Sequence, residues 1–123
     1  MFVGTATVFT VRDIAASIAY YRDALGFDVG FEYDEPIFYA GLCRDEAALH
    51  LRAAGQQPHW VAGHGALCVF VDDVDALYAE FVARGTRIIA PPQDYAYGMR
   101  DFDLADFDGN RLTFGMEPKS PAA

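Results

Sequence analysis

The stretch that decides the fold reads YAYGMRDFDLADFDGNRLTFG and occupies residues 95–115. Its centre, DFDGN at residues 106–110, contains an Asp-Gly pair, which supplies the positive φ that a tight hairpin needs. The segments on either side, 99–105 and 111–116, alternate between apolar and polar side chains, as strands with one buried face do. The apolar side chains of each segment fall on one face, namely Phe102 and Leu104 in the first, and Leu112, Phe114 and Met116 in the second.

The polar side chains of this hairpin are mostly acidic. Asp103, Asp106 and Asp108 are interpreted as exposed strand and turn residues, because none of them has an obvious catalytic partner in the sequence. Arg100 has two equal interpretations: it fixes an anionic ligand, or it forms a structural ion pair with Asp101 or Asp106.

The chain before the hairpin begins with a strand, a helix and three more strands. A β-branched and aromatic run at residues 5–11 predicts the first strand. Asp13 then serves as the N-cap of a helix, and Gly26 ends it. The apolar stripe of this helix consists of Ile14, Ile18, Tyr21 and Leu25. The next strands are expected at residues 27–33, 37–43 and 47–52.

The same order repeats after a linker that is rich in Gly, Gln, Pro and His. A strand at residues 66–71 leads into a helix between Asp73 and Gly85. The remaining elements are a strand at residues 86–90, a loop at residues 91–98 and the hairpin. This internal repeat predicts two βαβββ units, each burying one sheet face against its own helix, and leaves the other faces for a shared concavity.

The prediction is therefore an α+β fold in a single domain over residues 1–123. Its first half covers about residues 5–53 and its second half about residues 65–117. The last residues, Lys119 to Ala123, are expected to form a frayed tail.

Composition excludes several classes of partner. The chain has 123 residues, is 53% hydrophobic and 15% aromatic, and carries a net charge of −9. The negative charge disfavours nucleic acid and anionic membranes, and favours either cationic ligands or simple solubility. No apolar run approaches the roughly 20 residues of a membrane span, and no basic segment precedes an apolar one as in a signal peptide. We therefore expect a cytoplasmic protein, with Cys43 and Cys68 as reduced core thiols.

A motif at the hairpin resembles a known superfamily. Tyr97-Gly-Met-Arg-Asp-Phe102 followed by DFDGN resembles the glyoxalase/bleomycin resistance/dioxygenase (vicinal oxygen chelate) superfamily, most of all its bleomycin-binding branch. Phe107 departs from the usual Pro of that motif. The resemblance covers about residues 5–117, and it implies two βαβββ modules that form a half-open barrel. It also implies a homodimer, with ligands bound in crevices at the subunit interface.

The metal positions of the superfamily are mostly lost. Mapped by spacing, they fall on Ala6, His50, Ala66 and Thr113. Alanine has no donor atom, and a neutral hydroxyl is a poor ligand beside carboxylate or imidazole. We therefore expect no metal ligands and no cofactor, and we interpret His50 as a hydrogen-bonded histidine that faces the concavity or a subunit interface. A shift of register that brings His64 beside His50 is the alternative.

Candidate ligand-binding residues are aromatic side chains near loops, together with one arginine. Aromatic walls stack on planar groups, and nearby carboxylates favour cations. Core packing is the alternative for each aromatic residue. The candidates are Tyr33, Phe38, Trp60, Tyr95, Tyr97 and Arg100.

These features predict a metal-free binding protein that sequesters a small antibiotic-like molecule, either aromatic or cationic. No catalytic residue is assigned, because no nucleophile, phosphate loop or oriented base is visible. Two alternatives remain open. One is a metal-dependent lyase, glyoxalase or dioxygenase with a divergent site that includes His50, and the other is a dimeric module whose concavity is filled by its own side chains.

Overall fold

The computed structural model describes residues 1–117, which form two four-stranded sheets with one helix each. Residues 119–123, expected to be a frayed tail, lie outside the described part. The first half contains β1 (Thr7–Val11), α1 (Ile14–Asp23), β2 (Asp28–Tyr33), β3 (Tyr39–Arg44) and β4 (Ala47–Ala53). The second half contains β5 (Ala66–Phe70), α2 (Val74–Ala83), β6 (Ile88–Asp94), β7 (Arg100–Ala105) and β8 (Arg111–Met116). The prediction of an α+β fold with two βαβββ units is confirmed.

The two sheets have the same topology. Their strand orders are β1-β4-β3-β2 and β5-β8-β7-β6. In each sheet the first strand pairs in parallel with the last strand of its half, and the other pairs are antiparallel. The hairpin of β7 and β8 has the predicted register, with Phe102 opposite Phe114 and Leu104 opposite Leu112. Both sheets therefore leave their first strand at a free edge.

Both helices begin at the predicted caps, and α2 ends just before Gly85, whereas α1 ends at Asp23, so Leu25 of the predicted stripe lies beyond it. Asp13 accepts a hydrogen bond from the backbone N–H of Ala16 at 3.1 Å, and Asp73 accepts one from Ala76 at 3.0 Å. These bonds satisfy backbone donors that have no partner within the first helical turn. Gly26 and Gly85 follow the helices with φ of +73° and +76°, which glycine adopts without strain.

The hydrophobic core lies between each helix and one face of its sheet. The stripe of α1 is buried as predicted, and Val74 and Phe81 of α2 are buried in the same way. The strand residues of this core include Phe9, Leu42, Leu49, Leu51, Phe102, Leu104, Leu112 and Phe114. Side chains of opposite parity on the same strands therefore lie on the faces without a helix.

The segment before the hairpin differs from its prediction. Residues 91–98 are not a loop throughout, because β6 continues through Pro91 and Pro92 to Asp94. Proline lacks the N–H that a central strand needs, but β6 is an edge strand, and its pairing with β7 is irregular around Ala90. Pro91 and Pro92 are therefore compatible with a strand here, because an edge strand with irregular pairing does not need a hydrogen bond from every backbone N–H.

Burial of three polar residues also differs from the prediction. Cys43 and Cys68 are exposed rather than in the core, since their parity places them on the faces opposite the helices. Asp106 is only 2% exposed, although it was expected to be an exposed turn residue. Contacts from the other half of the chain cover Asp106. The sequence next to Asp106 cannot predict these contacts.

Side chains at the hairpin turns join the two halves. The amide of the buried Asn110 accepts a hydrogen bond from Gly65 N–H at 2.7 Å and donates one to the Thr10 carbonyl at 3.1 Å. At the other hairpin, Arg44 forms an ion pair with Glu80 of α2 at 2.9 Å. Each hairpin thus contacts the opposite half.

A cleft of about 770 Å³ is lined by residues of both halves near the free edges of β1 and β5. Its lining includes Thr7 of β1 and Leu67 and Val69 of β5. The helices described in residues 1–117 are all too short or too polar to cross a membrane.

Candidate functional site

Each sheet has one face without a helix, and these two faces carry several polar and aromatic side chains. We call the faces opposite α1 and α2 the first and second open faces. The first open face includes Val8, Thr10, Phe31, Tyr39, His50 and Arg52, as strand register and side-chain contacts indicate. The second includes Cys68, Asp101, Asp103 and Thr113.

An aromatic cluster surrounds His50 on the first open face. The Tyr39 hydroxyl lies 2.9 Å from His50 Nδ1, and the rings of Tyr39 and Phe31 both meet the imidazole edge-on at 5.4 Å between centroids. The hydrogen bond expected for His50 is present, and its imidazole lies on the first open face. One imidazole nitrogen is thereby occupied by a protein partner.

Arg52 and Trp60 form a second unit on the first open face. Arg52 Nε donates to Thr10 Oγ1 at 2.7 Å, and its guanidinium carbon lies 4.6 Å from the centroid of the Trp60 ring. Backbone bonds within the linker hold Trp60, whose N–H donates to the Gln57 carbonyl at 3.0 Å. Trp60 is thus a partly buried stacking surface of the first half.

The second open face carries two carboxylates, Asp101 and Asp103, and one guanidinium, that of Arg111. Asp103 accepts hydrogen bonds from Thr113 at 2.7 Å and from Arg111 at 2.8 Å. Cys68 is exposed as a residue, but partial desolvation of its thiol, followed by the carboxylates of Asp101 and Asp103, raises the pKa of that thiol. A thiol with a raised pKa is mostly protonated at neutral pH, so Cys68 is a weak nucleophile.

Tyr95 and Tyr97 stack on each other beside the second open face. Their rings are 5.2 Å apart and 6° from parallel. The Tyr97 hydroxyl donates to Asp101 Oδ2 at 2.6 Å, and this hydrogen bond is the main cause that raises the pKa of Tyr97 to about 12. Tyr97 is 65% exposed. The pair therefore presents a fixed aromatic surface to solvent with a carboxylate underneath.

Tyr33 and Phe38 contact each other at the end of the first sheet. Their rings meet edge-to-face at 5.5 Å, and Tyr33 is exposed. Contacts within the described chain thus join Tyr33 with Phe38, Tyr95 with Tyr97, and Trp60 with Arg52. The first-half and second-half candidates form separate groups.

Arg100 pairs with neither of the acids expected from the sequence. Its guanidinium makes two hydrogen bonds to Asp75 of α2, at 2.8 and 3.0 Å, and approaches Asp94 at 3.3 Å. The hydrogen bonds to Asp75, and then that to Asp94, raise the pKa of Arg100 above the usual value for arginine. Parity with Phe102 places Arg100 on the helix side of the sheet, so Asp101, on the other side, is out of its reach.

The residues at the mapped metal positions do not fit a metal centre. Ala6 and Ala66 supply no donor atom, the Thr113 hydroxyl binds Asp103, and His50 shares one nitrogen with Tyr39. Within residues 1–117, no group of three or more His, Cys, Asp or Glu side chains is arranged to hold an ion. No reaction step through a metal is therefore derived.

Sequence reasoning missed several residues of the open faces. Phe31, Tyr39 and Arg52 were not selected, although strict alternation in β2, β3 and β4 places them on the face of His50. That period-2 pattern was the available signal. Asp101 was considered only as a partner of Arg100.

Comparison with known proteins identifies the sequence pattern. Residues 5–114 match the profile described as Glyoxalase/Bleomycin resistance protein/Dioxygenase superfamily. No curated protein matches the chain in sequence.

Solved structures with this fold include a bleomycin-binding protein from bleomycin-producing Streptomyces verticillus, complexed with copper(II)-bleomycin. It is 29% identical, with a TM-score of 0.75 over 93% of this chain and 95% of that one. A glyoxalase/bleomycin resistance protein from Catenulispora acidiphila is 28% identical, with a TM-score of 0.76 over 95% and 100%. A lactoylglutathione lyase from Agrobacterium tumefaciens, at 20% identity and a TM-score of 0.75 over 93% and 92%, shares the fold.

Proposed function

This chain belongs to the Glyoxalase/Bleomycin resistance protein/Dioxygenase superfamily, and from that premise we propose that it binds a small planar, cationic molecule and sequesters it without metal chemistry. The ligand is held by stacking and charge, and it is released unchanged. The proposed binding residues are Tyr33, Phe38, Trp60, Tyr95 and Tyr97, with Asp101 added on its geometry.

The stacked pair of Tyr95 and Tyr97 is the observation that carries this proposal. Two parallel rings beside Asp101 are suited to a planar ligand group, because the tyrosine face attracts a cation and the carboxylate neutralises it. The hydrogen bond from Tyr97 to Asp101 fixes the ring before a ligand arrives, which lowers the entropy cost of binding. Core packing does not explain Tyr97, since it is largely exposed.

Overall charge supports a cationic ligand. The chain carries a net charge of −9, and Asp101 and Asp103 lie on the second open face. Asp103 is already paired with Arg111, but Asp101 forms no ion pair within residues 1–117. An unpaired carboxylate in a protein of negative net charge attracts cations over a distance and speeds their association. The bleomycin-binding relative, at 29% identity, supports an antibiotic-like ligand class.

We further propose that two copies of the chain pair and form the binding crevices between them. Apolar side chains are exposed on or beside both open faces, including Val8, Phe31, Val61 and Phe70. A second copy that covers these side chains removes them from water, and self-complementary pairing of this kind is the commonest form of association. The first-half and second-half aromatic groups, separate within one chain, then come from different subunits.

A metal-dependent lyase is the competing function. The lactoylglutathione lyase neighbour, at 20% identity, supports the fold alone. The poor fit at Ala6, Ala66 and Thr113 counts against that activity.

The experiment is a thermal shift of purified protein against metal-free bleomycin, copper(II)-bleomycin and benzamidine, with metal content measured on the same sample. A ligand that binds only the folded state raises Tm. We expect a saturable rise without stoichiometric metal, lost in Tyr97→Ala. Phe107→Ala is the matched control, because Phe107 is 64% exposed, close to the 65% of Tyr97, but packs against Tyr20 of α1.

Two outcomes contradict the proposal. One is stoichiometric metal without a response to any of the three compounds. The other is an equal response in wild type and Tyr97→Ala.

A further inference from the structure

We propose that the first open face carries an oxyanion-binding subsite centred on Arg52, which takes a carboxylate or phosphate group. This inference deepens the proposed function, because it makes the ligand bipolar: a planar cation that also bears an oxyanion. The geometry of the subsite does not depend on the tyrosine pair, so the two sites can be tested separately.

Arg52 is an arginine without a counter-ion in the described chain. Within residues 1–117, six of the eight arginines form ion pairs, and Arg52 and Arg87 do not. Arg87 lies on the surface, where water solvates its charge. Arg52 is half-buried, so its unpaired charge favours an external anion more strongly.

The side chain of Arg52 is also fixed in position. The guanidinium lies over the Trp60 ring, with its carbon 4.6 Å from the ring centroid, and the bond from Nε to Thr10 Oγ1 fixes one edge of it. No acceptor for the remaining N–H groups is described within residues 1–117. A guanidinium held in this way presents a planar pair of donors, and that geometry matches the two oxygens of a carboxylate or phosphate.

A cavity of about 340 Å³ lies beside this guanidinium. Its lining contains two histidines and no acidic side chain among the described residues. The full set is Val8, Thr10, Arg52, His59, Val61, His64 and Gly65. Imidazole N–H groups add hydrogen-bond donors to those of Arg52. The protein as a whole carries a net charge of −9, whereas the charged side chain at this cavity, Arg52, is positive.

The two open faces therefore differ in polarity. The first has Arg52, without a counter-ion in residues 1–117, beside a cavity lined by His59 and His64. On the second, Arg111 pairs with Asp103, whereas the Asp101 carboxylate forms no ion pair among the described residues and accepts a hydrogen bond only from the Tyr97 hydroxyl. Opposite charges on surfaces that share one ligand orient it and reject molecules with a single charge.

The test is an NMR titration of the full-length ¹⁵N,¹³C-labelled protein with benzoate, inorganic phosphate, benzamide and benzamidine. We expect benzoate and phosphate to shift resonances of Thr10, Arg52, His59 and His64 saturably. Benzamide has the shape of benzoate without its charge and is expected to leave them unchanged. Comparison of benzoate with phosphate shows which oxyanion the cavity prefers.

Arg52→Gln is expected to weaken oxyanion binding by about tenfold or more, because a hydrogen-bonded charge pair is lost. Arg87→Gln is the matched control and should bind as wild type does. Arg52→Lys keeps the positive charge but lacks the planar pair of donors. Its affinity for the oxyanion should therefore lie between that of Arg52→Gln and that of Arg87→Gln. If Arg52→Gln does not fold, Arg52→Lys and the comparison of benzoate with benzamide still decide the matter.

The subsite is overturned if neither oxyanion shifts these resonances, if benzamide binds as benzoate does, or if both Arg52 variants bind like Arg87→Gln. Benzamidine distinguishes this failure from failure of the proposed function. Shifts at Tyr95 and Tyr97 with benzamidine, without shifts near Arg52 with benzoate, leave the planar-cation proposal intact and remove the subsite. The reverse pattern keeps the oxyanion subsite and removes the planar-cation proposal.

Discussion

At the scale of single residues, Asp106 holds the hairpin turn and the two halves together. Its Oδ1 accepts hydrogen bonds from the backbone N–H groups of Asp108 and Asn110, at 3.0 and 2.9 Å. Its Oδ2 accepts from the Tyr21 hydroxyl at 2.8 Å and from Asn110 Nδ2 at 2.9 Å. Burial of this carboxylate is tolerated because four donors replace the water it loses.

Removal of the Tyr21 hydroxyl should therefore destabilise the protein measurably. We expect Tyr21→Phe to lower the free energy of unfolding by about 1.5–3 kcal/mol, the range for a hydrogen bond to a charged group. Tyr78→Phe is the control, since its ring packs against Phe102 and no bond of its hydroxyl is described in residues 1–117. Urea unfolding measures both variants, and equal losses would contradict this role of Asp106.

Residue-level predictions from the sequence succeed where the cause is local and fail where it is not. Asp13 and Asp73 are N-caps because of neighbours three residues away, and both were identified. Asp106 was misjudged because its partner Tyr21 lies 85 positions earlier in the chain. The ion-pair partner of Arg100 was missed for a similar reason, since Asp75 belongs to α2.

At the scale of elements, the β3–β4 hairpin is attached to α2 by charge. Arg44 forms two hydrogen bonds with Glu80, at 2.9 and 3.1 Å, and donates to the Leu25 carbonyl at 2.9 Å. The hydrogen bonds from Arg44 are the first cause that lowers the pKa of Glu80, whereas partial burial opposes it. The pair thus couples a hairpin of the first half to the helix of the second.

This coupling has a defined pH dependence. Because the pKa of Glu80 is lower in the folded state, its stabilising effect is present above the unfolded pKa of about 4.3 and is lost as pH falls through the folded value. Glu80→Gln should lower stability by about 0.2–1 kcal/mol at pH 7, and its difference from wild type should vanish in acid. The measurement is urea unfolding between pH 3 and 7. The control is Glu46→Gln, because Glu46 lies in the turn of the β3–β4 hairpin and has no ion pair described in residues 1–117. A deficit that grows in acid would contradict the assignment.

Elements themselves were largely predictable. Both helices and seven of the eight strands lie within about two residues of their predicted positions, because periodicity and caps define them. The exception is β6, where Pro91 and Pro92 suggested a loop. Only the sheet order shows that this strand lies at an edge, and sheet order depends on tertiary pairing.

At the scale of the whole molecule, the repeat in the sequence predicts the architecture, but the open faces needed the structure. Alternation shows which residues share a strand face, whereas the groups formed by Arg52 with Trp60 and by Tyr97 with Asp101 join strands to loops. The exposed apolar side chains on both faces are the basis of the proposed homodimer. Homodimerisation and binding are therefore tested best together.

The most direct measurement is sedimentation velocity of metal-depleted protein with bleomycin, which reports particle mass and bound ligand in one run, followed by mass spectrometry of the recovered ligand. The account predicts a particle of two chains that carries ligand, and a ligand recovered unchanged. Ligand that sediments only after a divalent metal is added, or that returns chemically altered, would contradict sequestration and favour a metal-dependent enzyme.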